Sequence, residues 1–275
     1  MNFFNIIGQL AEVDSDVMGR LDSRRAVFSS LTTVGKRAAQ AAAPALLASF
    51  FSKAYAGTTA GDPKEVFNYA LKLEQLEADF YNKMIASPFF ATASTAAQAA
   101  IRQISKHETS HVALLTAVVN GIGGTPTTGN TFKASVFATL TSFTAQLGVA
   151  QLLEDTGVRA YKGRAADLLG LADVTIGGAA YNPLETALRI HSVEARHASH
   201  IRYMRNQTSW INGDGDLDSS DNYKGATPES NIIQSGVTLT TGLGTTYTAM
   251  DAQASFDEIL TPTEVVALVT PLIGA

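Results

Sequence analysis

Two pairs of residues repeat one spacing: Glu108 with His111, and Glu194 with His197. Three positions apart on a helix, a carboxylate and an imidazole share a face and reach a single ion. Ile101, Ile104, Leu115 and Val118 flank the first pair, and Ala187, Ile190, Ile201 and Met204 flank the second in matching positions. Each pair therefore interrupts an apolar, inward-facing seam, where an uncompensated carboxylate costs on the order of several kcal/mol. Two more carboxylates fit the pattern. Leu73-Glu74 and Leu153-Glu154 are each followed seven residues later by a tyrosine, Tyr81 and Tyr161, which suggests two helix pairs related by an approximate internal two-fold axis. Four carboxylates and two neutral imidazoles balance two divalent cations, the donor set of dinuclear carboxylate sites in helix bundles. The expected ligands are Glu74, Glu108, His111, Glu154, Glu194 and His197. The expected cofactor is two divalent metal ions, iron ahead of manganese, both of which accept this set.

Several neighbours compete for roles. Glu77 lies three after Glu74, but its counterpart in the repeat is Gly157, so the symmetry selects Glu74. Tyr81 and Tyr161 read as donors to the ligand carboxylates, as an electron relay, or as ordinary core tyrosines. His191, one turn before Glu194, is a candidate neighbour of the site, whereas His107 and His200 read as surface or packing residues. His107-Glu108-x-x-His111 also matches a zinc-protease pattern. That pattern's extended form wants Gly where Leu114 stands, and no Asp, Glu or His follows before Glu154. Asn212 to Asp218 resembles the start of a calcium loop, yet Leu217 replaces its Gly and Tyr223 its Glu, so a solvated acidic turn is the reading.

The chain that must position these residues has 275 of them, 45% hydrophobic and 16% charged, which is enough to bury a core. A net charge of -5 without a basic stripe argues against nucleic acid as a partner. With no cysteine, disulfides, thiolate catalysis and Cys-ligated metals are excluded, so His and carboxylates must hold any metal. From Asp62 to Arg205 the apolar period is helical. Asp62-Pro63 starts a first helix reaching about Ile85, and a second spans roughly Thr95–Asn120. A third is expected over about Lys133–Gly163 and a fourth over Pro183–Arg205. The Gly/Thr/Pro linker between the second and third, about a dozen residues at ~3.3 Å each, can travel ~40 Å, the length of one helix. This predicts an all-α four-helix bundle over 62–206 with a long crossover. Residues 207–275 are expected to wrap it as an irregular tail ending in a short helix, where Thr261 caps, Pro262 opens the first turn and Glu264 closes a capping box.

The segment 1–56 reads as an export address. Arg24-Arg25 precedes an uncharged stretch, Ala38 to Phe51, and a small-x-small sequence at Ala54-Tyr55-Ala56. The paired arginines resemble a twin-arginine signal, with Phe28 one position late, and predict a periplasmic or exported protein. The other reading is an N-terminal helix docked on the body of a cytoplasmic protein. No apolar run is long enough to span a membrane.

The segments from Leu73 to Tyr81, Leu153 to Tyr161 and Glu194 to His197, with Phe256-Asp257-Glu258 in the tail, resemble the ferritin-like family that includes plant desiccation-related proteins and exported bacterial proteins. The resemblance covers about residues 62–275 and implies a dimetal bundle without a settled reaction. The expected function is a dinuclear iron or manganese protein reacting with a small oxidant, oxygen or peroxide, in stress protection, with a homo-oligomer as a possible assembly. The alternative is a structural or desiccation-protective protein whose metal only holds the bundle.

Overall fold

The Asp62 carboxylate accepts the Lys64 N–H and Pro63 occupies the first turn, so α1 (Pro63–Ala86) begins where the chain leaves its cap. It stops at Ser87, ahead of Pro88. The computed structural model describes residues 62–211, 220–242 and 247–274; the export address at 1–56 and the acidic turn at 212–218 lie outside them. Ser94 caps α2 (Thr95–Gly121), Ser142 caps α4 (Phe143–Arg164), and Asn182, followed by Pro183, caps α5 (Pro183–Met204). Helix α1 packs along α2, and α4 along α5. The two pairs close on a core that includes Leu71, Phe80, Leu115, Leu153 and Ile201. The fold is an all-α four-helix bundle, and no helix among the described residues is long and apolar enough to cross a membrane.

The crossover between α2 and α4 runs along α1. Asn68 donates to the Thr125 carbonyl and accepts from the Thr127 N–H, Gln75 donates to the Thr127 carbonyl, and Asp79 accepts from the Phe132 N–H. Advancing from 68 to 79, these bonds carry the chain from the start of α1 towards its end, where Gln146 of α4 donates to Ser87. The third bundle helix starts later than the sequence suggests. Lys133 opens only a single turn, α3 (Ala134–Phe137), and the Thr139 hydroxyl then bonds back to the Val136 carbonyl. Ser142 is extended and caps a fresh start, so short polar side chains divert the backbone before α4.

Two hairpins were not legible as periodic segments: β1 (Val174–Ile176) with β2 (Ala179–Tyr181), and β3 (Ile233–Gln234) with β4 (Val237–Thr238). The first turns on Gly177 and Gly178, whose φ of 58° and 84° favour glycine. Two short helices follow, α6 (Leu239–Gly242) and α7 (Ala249–Gln253), and the chain ends in α8 (Pro262–Val269), with the capping box of Thr261 and Glu264 formed. Arg159 of α4 fastens this tail: fully buried, it donates to the Thr227, Glu258 and Ile259 carbonyls and lies 2.8 Å from Glu229 Oε1. A Cβ at Gly163 would stand 2.2 Å from the Leu260 carbonyl oxygen, so the tail crosses α4 where no side chain intervenes.

Candidate metal centre

Each bundle helix delivers its polar residues to the same depth: Glu74 and Tyr81 from α1, Glu108 and His111 from α2, Glu154 and Tyr161 from α4, and Glu194 and His197 from α5. The four glutamates have no solvent exposure, and His111 and His197 are 9% and 4% exposed. The six acidic and imidazole side chains form two groups. Glu74, Glu108, His111 and Glu194 make one and Glu108, Glu154, Glu194 and His197 the other, with ligand atoms within 4.8 Å of one another in each. Glu108 and Glu194, from the two Glu-x-x-His pairs, belong to both groups. Glu74 and Glu154 each serve one.

The two halves repeat atom for atom at their ends. Glu74 Oε2 lies 3.0 Å from His111 Nδ1 while its Oε1 accepts the Tyr161 hydroxyl. Glu154 Oε2 lies 3.0 Å from His197 Nδ1 while its Oε1 accepts the Tyr81 hydroxyl. Between them, Glu108 Oε2 stands 3.1 Å from His111 Nδ1 and Oε1 stands 2.9 Å from His197 Nδ1. Glu194 Oε1 is 3.4 Å from His111 Nδ1.

Protons alone satisfy this arrangement poorly. Three carboxylate oxygens converge on His111 Nδ1, which carries at most one proton. Both oxygens of Glu194, and Oε1 of Glu108, are buried without a hydrogen bond; the nearby His197 Nδ1 is misdirected for Glu108 Oε1. No Lys or Arg pairs with these four glutamates among the described residues. Buried, orphaned carboxylate oxygens facing imidazole nitrogens are the chemistry of a divalent cation site, and the residues present fit two such ions.

The electrostatics agree. Burial pushes the Glu74 carboxyl up to about 8 against the pull of the His111 hydrogen bond. Burial, then the charges of Glu108 and Glu74, drives Glu194 well above the carboxylate range. Glu154 also rises by burial, against the attraction of His197. For Glu108 burial pulls upward, but the facing imidazoles of His111 and His197 outweigh it and hold it at about 2. Burial works to lower both imidazoles, but Glu108 and Glu74 raise His111 to about 9, and Glu154 and Glu108 raise His197 to about 10. The cluster thus collects protons that bound cations would displace.

His107 is the residue that sequence reasoning misplaced. It is half-buried, stacks on His197 with ring planes 10° apart, and its Nδ1 lies 2.8 Å from His197 Nε2. Its own Nε2 faces the Gln103 amide at 2.8 Å. His107 Nδ1 and His197 Nε2 share a hydrogen bond, which holds the His197 ring with its Nδ1 towards the carboxylates. Both His107 nitrogens are then engaged, which removes the protease reading of His107-Glu108-x-x-His111. The signal was present, since His107 is three after Ile104 and four before His111 on the inward face.

His191 is not brought to the cluster: Lys162 and Asp257 are the charges acting on it. His200 is exposed, near Tyr203. Glu77 is buried, and burial followed by the charges of Glu74 and Glu154 raises its carboxyl, yet it is in neither ligand group. Its counterpart Gly157 supplies space. A Cβ there would lie 2.9 Å from Glu194 Oε2 and 3.5 Å from Glu77 Oε1.

A four-helix bundle with a long crossover around paired carboxylates and imidazoles defines a class, and the comparison with known families agrees. The family model of the ferritin-like domain matches residues 62–207, more than half of the chain, and the chain belongs to that family. No curated protein matches it.

Proposed function

We propose that the protein is a dinuclear metal carboxylate protein, with iron ahead of manganese, that reacts with oxygen or peroxide in stress protection outside the cytoplasm. The observation that carries this reading is the sharing of Glu108 and Glu194 between two four-residue groups, each completed by its own carboxylate and imidazole. Two bound ions supply paired one-electron chemistry, so that a small oxidant is reduced without release of a radical. The chain's own residues do the rest. Glu108 and Glu194 hold both positions together, Glu74 with His111 and Glu154 with His197 close the two ends, and Tyr81 and Tyr161 orient the end carboxylates through their hydroxyls. Helix packing excludes water from the four glutamates, and His111, the most exposed member, is the edge nearest solvent.

The test is metal analysis of the protein from its native compartment, followed by oxidation of the reduced, loaded protein. Two ions per chain and reaction with oxygen or peroxide are expected, and Glu108→Ala with Glu194→Ala should remove both ions together. Two ions retained in that double variant would sink the assignment. Two ions that raise the melting temperature but react with neither oxidant would favour the structural alternative.

A further inference from the structure

A second feature adjoins the cluster on the far side of the Tyr161 ring. Ala70 of α1, Ala160 of α4 and Ala187 of α5, all buried, face one another and leave a cavity between three helices where larger side chains would fill the core. The cavity has a volume of about 20 Å³, somewhat more than the ~10–15 Å³ that a single water needs. Its walls are almost wholly hydrocarbon, with Tyr161 among them, and the hydroxyl of that same tyrosine bonds Glu74. The polar lining is confined to Tyr69 and Arg164. The Arg164 guanidinium lies 5.8 Å above the Tyr69 ring and 3.0 Å from Asp167, and it is partly exposed, so this pair forms the mouth.

A water in a cavity needs two to four polar partners, and apolar cavities of this kind stay dry while accepting apolar guests such as xenon. The unbonded polar atoms of the lining, the Tyr69 hydroxyl and Arg164 Nε, lie at the mouth and can hold a water or hydrogen peroxide there, whereas the space between the alanines offers neither of them a partner. We propose that this cavity is a binding site for dioxygen, entered past Arg164 and Tyr69 and ending at the Tyr161 ring beside Glu74. The inference rests on the oxidant-reacting function above and selects dioxygen over peroxide as the guest of this route. The three alanines create the space, Tyr161 is the wall shared with the cluster, and Asp167 holds Arg164 across the entrance.

Xenon is the probe, followed in pressurised crystals or by its NMR shift, with the full-length protein. Wild type should bind xenon between Ala70, Ala160 and Ala187, and either Ala70→Leu or Ala187→Leu should abolish that binding; two variants from different helices guard against one that fails to fold. In the ferrous-loaded protein each should slow reaction with dioxygen about tenfold, the effect of an added barrier of ~1.4 kcal/mol, with metal content and the peroxide rate unchanged. Arg164→Ala, which opens the mouth, should leave the dioxygen rate at or above that of wild type. An unchanged dioxygen rate in folded, xenon-free variants overturns the cavity assignment alone, as does equal slowing towards both oxidants. If wild type binds xenon but reacts with neither oxidant, the function proposed above fails and the dioxygen assignment falls with it.

Discussion

The Tyr81 hydroxyl, on α1, donates to Glu154 Oε1, on α4, although the two residues are 73 positions apart. Tyr161 of α4 returns the same bond to Glu74 of α1. Each half of the internal repeat thus clamps the end carboxylate of the other. A carboxylate whose Oε1 is fixed by a phenol keeps Oε2 aimed at its imidazole, and such supporting bonds are typically worth 10–100-fold in metal affinity. Tyr81→Phe should therefore weaken the ion beside Glu154 and His197, and Tyr161→Phe the ion beside Glu74 and His111, each by at least ~10-fold. Stepwise chelator competition reads this. Equal loss of both ions in either single variant would contradict the paired clamp.

Gly157 lies inside α4, where glycine costs a helix ~1 kcal/mol relative to alanine. Gly157→Ala ought to stabilise an ordinary helix. Here the new Cβ would meet Glu194 Oε2 at 2.9 Å, and that carboxylate belongs to both ligand groups. In the metal-free protein the side chain can swing aside, so the variant should melt at or above wild type. In the loaded protein it cannot, and both ions should bind ~10-fold more weakly, as when a supporting position is lost. Calorimetric melts with and without metal decide the matter, and a variant that binds both ions as tightly as wild type would show that Glu194 does not need the space.

His107 offers a split that packing alone would not produce. His107→Leu keeps an apolar body beside His197 but removes the hydrogen-bond partner of His197 Nε2. The ion on that side should weaken about 10-fold, with the His111 side unaffected, and His107→Gln, whose amide restores a hydrogen-bonding partner, should recover most of the loss. Failure of the glutamine to rescue would leave His107 a packing residue.

The four helices and their six converging residues were legible because a heptad-scale stripe, doubled at Glu-x-x-His spacing, encodes depth and direction together. Where the sequence misled, local hydrogen bonding decided. Lys133 looked like a helix start, but hydroxyl back-bonding at Thr139 and the Ser142 cap moved α4 ten residues on. The hairpin at Gly177-Gly178 is too short to show alternation, although its glycine pair is a turn signal. Which carboxylates are shared could not be read from spacing, because sharing depends on how the helix pairs face each other. His107 was misplaced because it sits at the edge of its stripe, where a half-buried ring stacks on a residue 90 positions away.

The metal-free protein should lose stability as pH rises from 5 to 10. Glu74, held at about 8 by burial against the His111 bond, keeps a proton that the unfolded chain releases near 4.5, so its contribution is full below 4.5 and lost through 8. Glu194 and Glu154 shift in the same direction, as does Glu229, which burial lifts to about 7 against Arg159. His111 and His197, at about 9 and 10 in the fold, contribute fully below 6.5 and lose that contribution as pH passes those values. Glu108 works oppositely, but its window lies between 4.5 and about 2, below the range considered. His107 and His191, which burial lowers, work oppositely around pH 6.5, but the raised carboxyls and the raised His111 and His197 outnumber them, so the net sign across pH 5–10 is a loss with rising pH. Bound ions displace these protons, so the loaded protein should hold its stability while its advantage over the metal-free form widens with pH. A fall on the order of 10 °C in the metal-free melting temperature between pH 5 and 9 is expected, as a few kcal/mol gives in a domain of this size. Melts at pH 5, 7 and 9, with chelator and with metal, measure it; a metal-free protein more stable at pH 9 than at pH 5 would overturn the assignment of a proton-loaded, cation-seeking cluster.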